Sequence, residues 1–516
     1  MNIGRMLTNT AQRVPDRPAV SWGDRHCTYA ELDRRTNALA RGLAGLGAAP
    51  GTRVGVLMRN RPELLEAMYA CFKAGVGLVP LNARFTADEV RYHVEDSGAV
   101  AVCTDPEGVD VVRGAALDGV HVVVAGDGAD RVPAGTHGHE ALIASSDGDG
   151  DAVVPVERDH LAWLFYTSGT TGRPKGAMLT HGNLAFVVAS WLADLTPMTE
   201  ADVTLHAAPL THGAGFHALA ATARGAHQVI PTDPSFDPPA ILRLLRDARV
   251  TNTWMVPTQI VMLTDAVAAG ASAELPDLRH VVYGGAPFAP SELERALDGF
   301  GPVFVQLFGQ GETPMTATVL PAEDHATAHR GDRPERLRSA GYARPGMDVR
   351  ILDEHDVEVP TGDIGEVCVR GPAVMLGYWQ RPEATAATLR NGWLHTGDLG
   401  RADEHGYVYL LDRAKDLIIT GGSNVYAVEV EAVLATHPAV RDVAVIGVAD
   451  RTWGEVVTAV VVSPDAGEAL RDELQALCAG SLAGYKLPRG YVFVDELPRN
   501  AYGKVLKREL RDQLGT

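Results

Sequence analysis

Residues 161–176 read LAWLFYTSGTTGRPKG. The apolar run Leu161–Tyr166 reads as a strand and feeds a loop dense in glycine and hydroxyl groups. Gly169, Gly172 and Gly176 permit tight turns and close approach of a ligand to the backbone. Thr167, Ser168, Thr170 and Thr171 add hydroxyls to exposed N–H groups, an anion nest to which Lys175 brings a charge. A loop of this kind directly after a strand suits phosphate binding. It is not the Walker pattern, because the Gly-Lys-Ser/Thr ending never arrives after Gly169. The plain alternative is a solvated Gly/Thr turn, and the particular order of Tyr166–Gly176 speaks against it.

Upstream of the loop, the first hundred residues alternate strand and helix signals. Thr28-x-x-Glu31 is a capping box, with Leu32, Leu39, Leu43 and Leu46 following at helical spacing. Arg53–Met58 (RVGVLM) predicts a strand, and Asn60 a helix cap with Pro62 in the first turn. Val76–Pro80 predicts a further strand and Thr86-x-x-Glu89 the next helix start. Such a β-α-β-α series predicts a mainly parallel sheet with helices on both faces. Between Gly126 and Asp151, Gly, Asp, Ser and Ala predominate, which predicts an irregular crossing. Near the end, DRAKD (412–416) interrupts the apolar runs YVYLL and LIIT, a charged break that suits an interdomain hinge. A compact α+β unit of about a hundred residues follows.

A chain of 516 residues exceeds one ordinary core, so at least two domains are expected. Its 46% hydrophobic and 22% charged residues fit a globular protein. No apolar stretch approaches the roughly 20 residues that span a bilayer. The N-terminal MNIGRMLTNTAQRVPDRP lacks the shape of a signal peptide. Cys27, Cys71, Cys103, Cys368 and Cys478 are scattered without a C-x-x-C, so a reducing cytoplasm is expected rather than a disulfide framework or a zinc site. A formal net charge of −19 argues against nucleic acid as a partner.

Tyr166–Gly176 resembles the phosphate loop of the adenylate-forming superfamily, which includes acyl- and aryl-CoA synthetases, luciferases and peptide-synthetase adenylation domains. Further landmarks follow in the family's order, so the resemblance spans nearly the whole chain. PLTHG (209–213) is similar to the acyl-pocket segment, with its histidine at His212, and YGGAP (283–287) to the adenine-flanking turn. FGQGET (308–313) occupies the place of the family's Tyr-Gly-x-Thr-Glu, and GWLHTGD (392–398) matches the ribose-binding segment. DRAKDLIITGGSNVY (412–426) matches the hinge and the loop beyond it, and PRNAYGK (498–504) the catalytic-lysine motif.

The resemblance implies an α/β fold: a large N-terminal domain (1–411) of packed, mainly parallel sheets with flanking helices, a hinge (412–416), and a small, mobile α+β C-terminal domain (417–516). It implies an enzyme that uses ATP and Mg2+ to adenylate a small-molecule carboxylic acid and then forms a thioester with coenzyme A. Contacts to ATP and AMP fall to Thr167, Ser168, Gly169, Thr170, Thr171, Gly172 and Lys175, to Gly285, Ala286, Pro287, Phe308 and Gly309, and to Asp398 and Arg413 on the ribose. A carboxylate such as Asp398 can accept both ribose hydroxyls. Glu312 stands in the place of the magnesium ligand, a hard oxygen donor. Lys504 becomes the cation that stabilises charge at the α-phosphate, although most lysines in such a turn are solvent-exposed and idle. Lys415 matches the hinge residue about which the small domain swings, bringing Gly421, Gly422, Ser423 and Asn424 to the site for thiol attack.

The acyl pocket is expected from His212, Gly213, Phe216, Trp254, Pro257, Gly284, Gly285 and Met315, a mix of small and apolar residues that fits a bulky fatty, aryl or polycyclic acid. His206, His212 and His217 do not share a helix face, and no acidic or cysteine pattern joins them into a metal site. Gly213–Ala218 lacks the strand–turn–helix context of a dinucleotide fingerprint, and Gly421–Val425 fails the last position of a nucleophile elbow. Two departures from the family stand out: Gly311 where a phosphate-contacting threonine is usual, and Ala427 for a common proline. They keep open a homologue that performs only thioesterification or only binds acyl-adenylate. Coenzyme A is the favoured acceptor because no carrier domain is fused and the GGSNVY loop resembles the CoA synthetases; a free-standing carrier protein is the alternative. A monomer or a homodimer is expected.

Overall fold

The computed structural model of the chain describes residues 1–126, 133–167, 173–413, 416–420, 423–451, 453–499 and 505–514, with backbone alone at 412 and 413. Two compact units form, one of residues 1–288, 292–349 and 369–394, the other of 289–291, 350–368 and 395–516.

The first unit is built on two sheets. Among the described residues the smaller has seven strands, in the order His137–Gly138, His121–Val124, Ala99–Thr104, Arg53–Leu57, Gly77–Leu81, Leu161–Thr167 and Lys175–Thr180. All neighbours are parallel except the last pair. Parallel neighbours need crossovers, and the helices supply them. Both expected capping boxes form, at Thr28–Glu31 and at Thr86–Glu89.

Two local expectations are corrected. The helix Pro62–Lys73 has Arg61 at its N-cap and no side-chain cap bond. Asn60 instead donates to the carbonyls of His206 (3.0 Å) and Ala208 (2.7 Å) and accepts the Leu210 N–H (2.8 Å). It fixes the segment leading to His212 rather than starting a helix. The crossing after Gly126 contains a helix, His139–Ala144. There the buried His139 bonds Glu66 at 2.6 Å while Arg35 bridges Glu66 and Glu140, a tertiary anchor that the Gly- and Asp-rich flanks conceal.

The larger sheet has nine strands among the described residues, in the order Tyr342–Ala343, Thr313–Leu320, Phe304–Gln310, His280–Tyr283, Asn252–Met255, Val203–Leu205, His227–Ile230, Pro18–Trp22 and Arg25–Thr28. Its centre is parallel and its outer pairs antiparallel. The helix Gly213–Arg224 is buried continuously from Gly213 to Thr222, and it packs on the helices Arg5–Arg13 and His181–Ser190. A helix apolar on every side belongs in a core, and this one carries His212 at its N-cap.

In the second unit Asp442–Asp450 and Gly454–Val462 pair antiparallel, with Gly490–Val494 parallel to the latter. The helices Ala427–Leu434, Glu468–Ser481 and Lys507–Leu514 complete it. Trp393–Ala402 pairs with Val408–Arg413, which sets Asp398 opposite Arg413 in register. No disulfide joins any of the five cysteines. Among the described residues no helix is long and apolar enough to cross a membrane.

Candidate active site

The strands Leu161–Thr167 and Lys175–Thr180 place Thr167 opposite Lys175, so the two flanks of the phosphate-loop motif lie side by side. Ser168, Gly169, Thr170, Thr171 and Gly172 lie outside the described residues. The flanks are tied down from beyond the motif. The Tyr166 hydroxyl donates to Asp96 at 2.7 Å, and the Tyr92 hydroxyl donates to the Pro174 carbonyl at 2.6 Å. Asp96 also takes the Arg381 guanidinium at 2.5 Å, and its carbonyl accepts the Trp379 indole N–H at 3.1 Å.

Glu312 sits in the turn between Phe304–Gln310 and Thr313–Leu320, and is 8% exposed. The Thr167 hydroxyl donates to its Oε1 at 2.9 Å, and the Tyr378 hydroxyl donates to the same oxygen at 2.7 Å. Among the described residues no hydrogen bond goes to Oε2. A buried carboxylate with one oxygen engaged and the other open fits a divalent ion that takes oxygen ligands. The Lys175 ammonium stands 4.4 Å over the Tyr378 ring, a cation–π contact. Glu312, far along the chain from the phosphate-loop motif, is thus tied to it directly through Thr167 and, by way of Tyr378, to Lys175, and no motif had singled out that tyrosine.

The expected acyl-pocket residues partly converge. His212 is half-buried, with Nδ1 3.0 Å from the Thr211 hydroxyl and its ring edge-on to Phe165 at 5.7 Å. Burial pushes its pKa down to about 4, so the imidazole is neutral at pH 7. A Cβ on Gly213 would clash with Met315 Cε and lie 2.7 Å from Trp254 Cζ2, so Gly213, Trp254 and Met315 form one wall. Met315 has a φ of +61°, rare for a side-chain-bearing residue. The fully buried Arg344 holds it there, donating to the Met315 carbonyl while gripping both Asp194 oxygens. Phe216 stacks on Trp163 at 4.8 Å and is 1% exposed, a core position. Pro257 opens the helix Pro257–Ala268 and is buried. Gly284 is buried against Leu307, whereas Gly285, Ala286 and Pro287 form an exposed turn in which Gly285 takes a φ of +80°. Phe308 is half-buried, and Gly309 lies against the backbone of Thr313 and Met315. His206 and His217 are held by the amide oxygens of Gln228 (2.9 Å) and Asn252 (2.8 Å).

In the second unit Asp398 is 8% exposed, and its N–H bonds the Thr396 hydroxyl at 3.1 Å. Glu366 reaches two residues of this segment: Oε1 accepts the Gly397 N–H at 2.8 Å, and Oε2 lies 2.8 Å from His395 Nδ1. Glu366, like Tyr378, stands in none of the sequence motifs. The Arg413 side chain, Lys415, Gly421, Gly422 and Lys504 lie outside the described residues. Ser423 and Asn424 belong to the strand Ser423–Val425, and Asn424 is exposed. Around Lys504, Arg499 bridges Val505 and the Leu506 N–H bonds the Pro498 carbonyl at 2.8 Å.

The sequence matches the family of AMP-binding enzymes over residues 7–379 and the AMP-binding enzyme C-terminal domain over 429–504. It is 41% identical over 518 residues to a feruloyl-CoA synthase of an Amycolatopsis species, covering 99% of both chains. It is 36% identical to the fatty acid–[acyl-carrier-protein] ligase ScoC of Streptomyces coeruleorubidus, covering 98% of this chain and 94% of that one. Among solved structures, ATP-bound MatB from Rhodopseudomonas palustris aligns over 99% of both chains with a TM-score of 0.86 at 35% identity.

Proposed function

The chain belongs to the AMP-binding enzyme family, in its branch of adenylate-forming acid–CoA ligases, and from that premise we propose that it converts an apolar aryl or fatty acid to its CoA thioester in two half-reactions at one site. The carboxylate attacks the α-phosphorus of ATP in an in-line displacement that releases pyrophosphate. The thiol of coenzyme A then attacks the acyl-adenylate and releases AMP. The carrying observation is that Glu312 is bonded by Thr167 and by Tyr378, whose ring lies under Lys175. Lys175 brings positive charge to the motif proposed to face the phosphates, and Glu312 Oε2 offers a ligand for Mg2+. When bound, that ion neutralises charge on the nucleotide's phosphate oxygens.

Asp398, with Arg413 opposite in register, is assigned to the ribose. Residues 1–411 are assigned to ATP and acid binding and 417–516 to a lid, with 412–416 as the hinge and Lys415 as its pivot. Lys504 serves the first half-reaction, and the Gly421–Asn424 face serves the second. The wall of Gly213, Trp254 and Met315 supports an apolar acyl group, and likeness to a feruloyl-CoA synthase favours an aryl one. Likeness to ScoC supports a second acceptor, a free-standing acyl carrier protein. Cysteines without a disulfide among them suit work in the cytoplasm.

The test is nucleotide product analysis with hydroxycinnamic, benzoic and fatty acids, with and without coenzyme A. AMP and pyrophosphate should form only with a competent acid, and a thioester only when coenzyme A is added. ADP as the product with a competent acid present sinks the proposal.

A further inference from the structure

Tyr378 is 6% exposed and could be read as core packing alone. Its surroundings argue otherwise. The segment it belongs to is zipped onto the exit strand of the phosphate-loop motif: Leu376 N–H bonds the Met178 carbonyl (2.9 Å), Met178 N–H the Gly377 carbonyl (2.9 Å) and Trp379 N–H the Gly176 carbonyl (2.8 Å). The same segment reaches the Glu312 turn, where the Met375 N–H bonds the Glu312 carbonyl at 2.8 Å. Tyr378 then contacts both elements through its side chain, the ring under Lys175 and the hydroxyl on Glu312 Oε1. One residue therefore spaces a cation from a carboxylate, and the hydroxyl occupies the oxygen already bound by Thr167, leaving Oε2 without a hydrogen bond among the described residues.

Building on the ATP-dependent reading above, we propose that Tyr378 is a positioning residue for the nucleotide. Its ring fixes where Lys175 meets the phosphates, and its hydroxyl fixes the rotation of the Glu312 carboxylate. The two contacts separate by substitution. Tyr378→Phe keeps the ring and loses only the bond to Glu312, whereas Tyr378→Leu loses both.

The experiment is acid-dependent pyrophosphate exchange with separate KM values for ATP and acid, alongside thioester formation from supplied acyl-adenylate and MgATP binding by calorimetry. Tyr378→Phe should slow exchange by about tenfold, the scale of one hydrogen bond to a charged group, with the KM for ATP little changed. Tyr378→Leu should in addition raise the KM for ATP about tenfold, the scale of a desolvated cation–π contact. Both should leave the KM for acid and the second half-reaction near wild type. The proposal is overturned if both variants exchange like wild type, or if both lose the two half-reactions in proportion to a lowered melting temperature. Should the wild type show no acid-dependent exchange, the functional reading falls, and MgATP affinity still decides the point: weakened by Leu but not by Phe supports Tyr378, equal in all three overturns it.

Discussion

At position 311 the chain passes so close to the phosphate-loop strand that a Cβ would press on Thr167 Cγ2 and lie 2.7 Å from Phe165 Cδ1. Thr167 is one of the two described residues that bond the Glu312 carboxylate. Gly311→Thr is therefore expected to displace that threonine and slow pyrophosphate exchange by about tenfold, since overpacking of this kind costs roughly 1–3 kcal/mol. An exchange rate raised by the substitution would identify the glycine as a missing phosphate contact and restore the reading in which only the second half-reaction is performed. The sequence marked Gly311 as a departure but held no trace of its cause, because Phe165 and Thr167 approach it through tertiary folding. The same limit hid Tyr378, Glu366 and Arg344. Each acts on a functional candidate across a long stretch of chain, and none stands in a local pattern that names its chemistry. Glu312, Lys175 and Asp398 were legible because they sit inside short ordered motifs.

Elements whose signals are local were read well. The capping boxes at Thr28 and Thr86 satisfy helix-end N–H groups within four residues, so their spacing alone sufficed. Asn60 has a capping residue's chemistry and the right distance from Pro62, yet its amide serves the carbonyls of His206 and Ala208 in a distant loop. In the charged break at 412–416, expected as a hinge, the strand Val408–Arg413 runs through the first two residues. Movement about this break gives a paired prediction at the scale of elements. Lys504→Ala should slow adenylation by about a hundredfold, the usual loss for one aimed charge-stabilising group, and spare thioester formation from supplied acyl-adenylate. Lys415→Pro, which locks φ, should do the reverse. Equal loss of both steps in both variants, with normal folding, contradicts a swinging lid.

For the molecule as a whole, three fully buried histidines of the first unit make stability depend on pH. Burial lowers the pKa of His181 to about 3 and those of His206 and His325 to about 4. The bonding agrees: His181 Nδ1 accepts the Ile3 N–H at 3.1 Å, which only an unprotonated nitrogen can do. The unfolded chain, with histidines near pH 6.5, takes up these protons first, so stability is level above that pH and falls as pH drops toward about 4. Each site contributes on the order of 3 kcal/mol across that window, and His325→Gln should flatten the melting-temperature profile there. The reaction itself is tested most directly by isotope transfer. A competent acid labelled with 18O in its carboxylate is turned over with ATP and coenzyme A, and the nucleotide and phosphate products are examined by mass spectrometry. Attack on the α-phosphorus predicts one labelled oxygen in AMP and none in pyrophosphate. Label in orthophosphate, accompanied by ADP, would contradict adenylation outright.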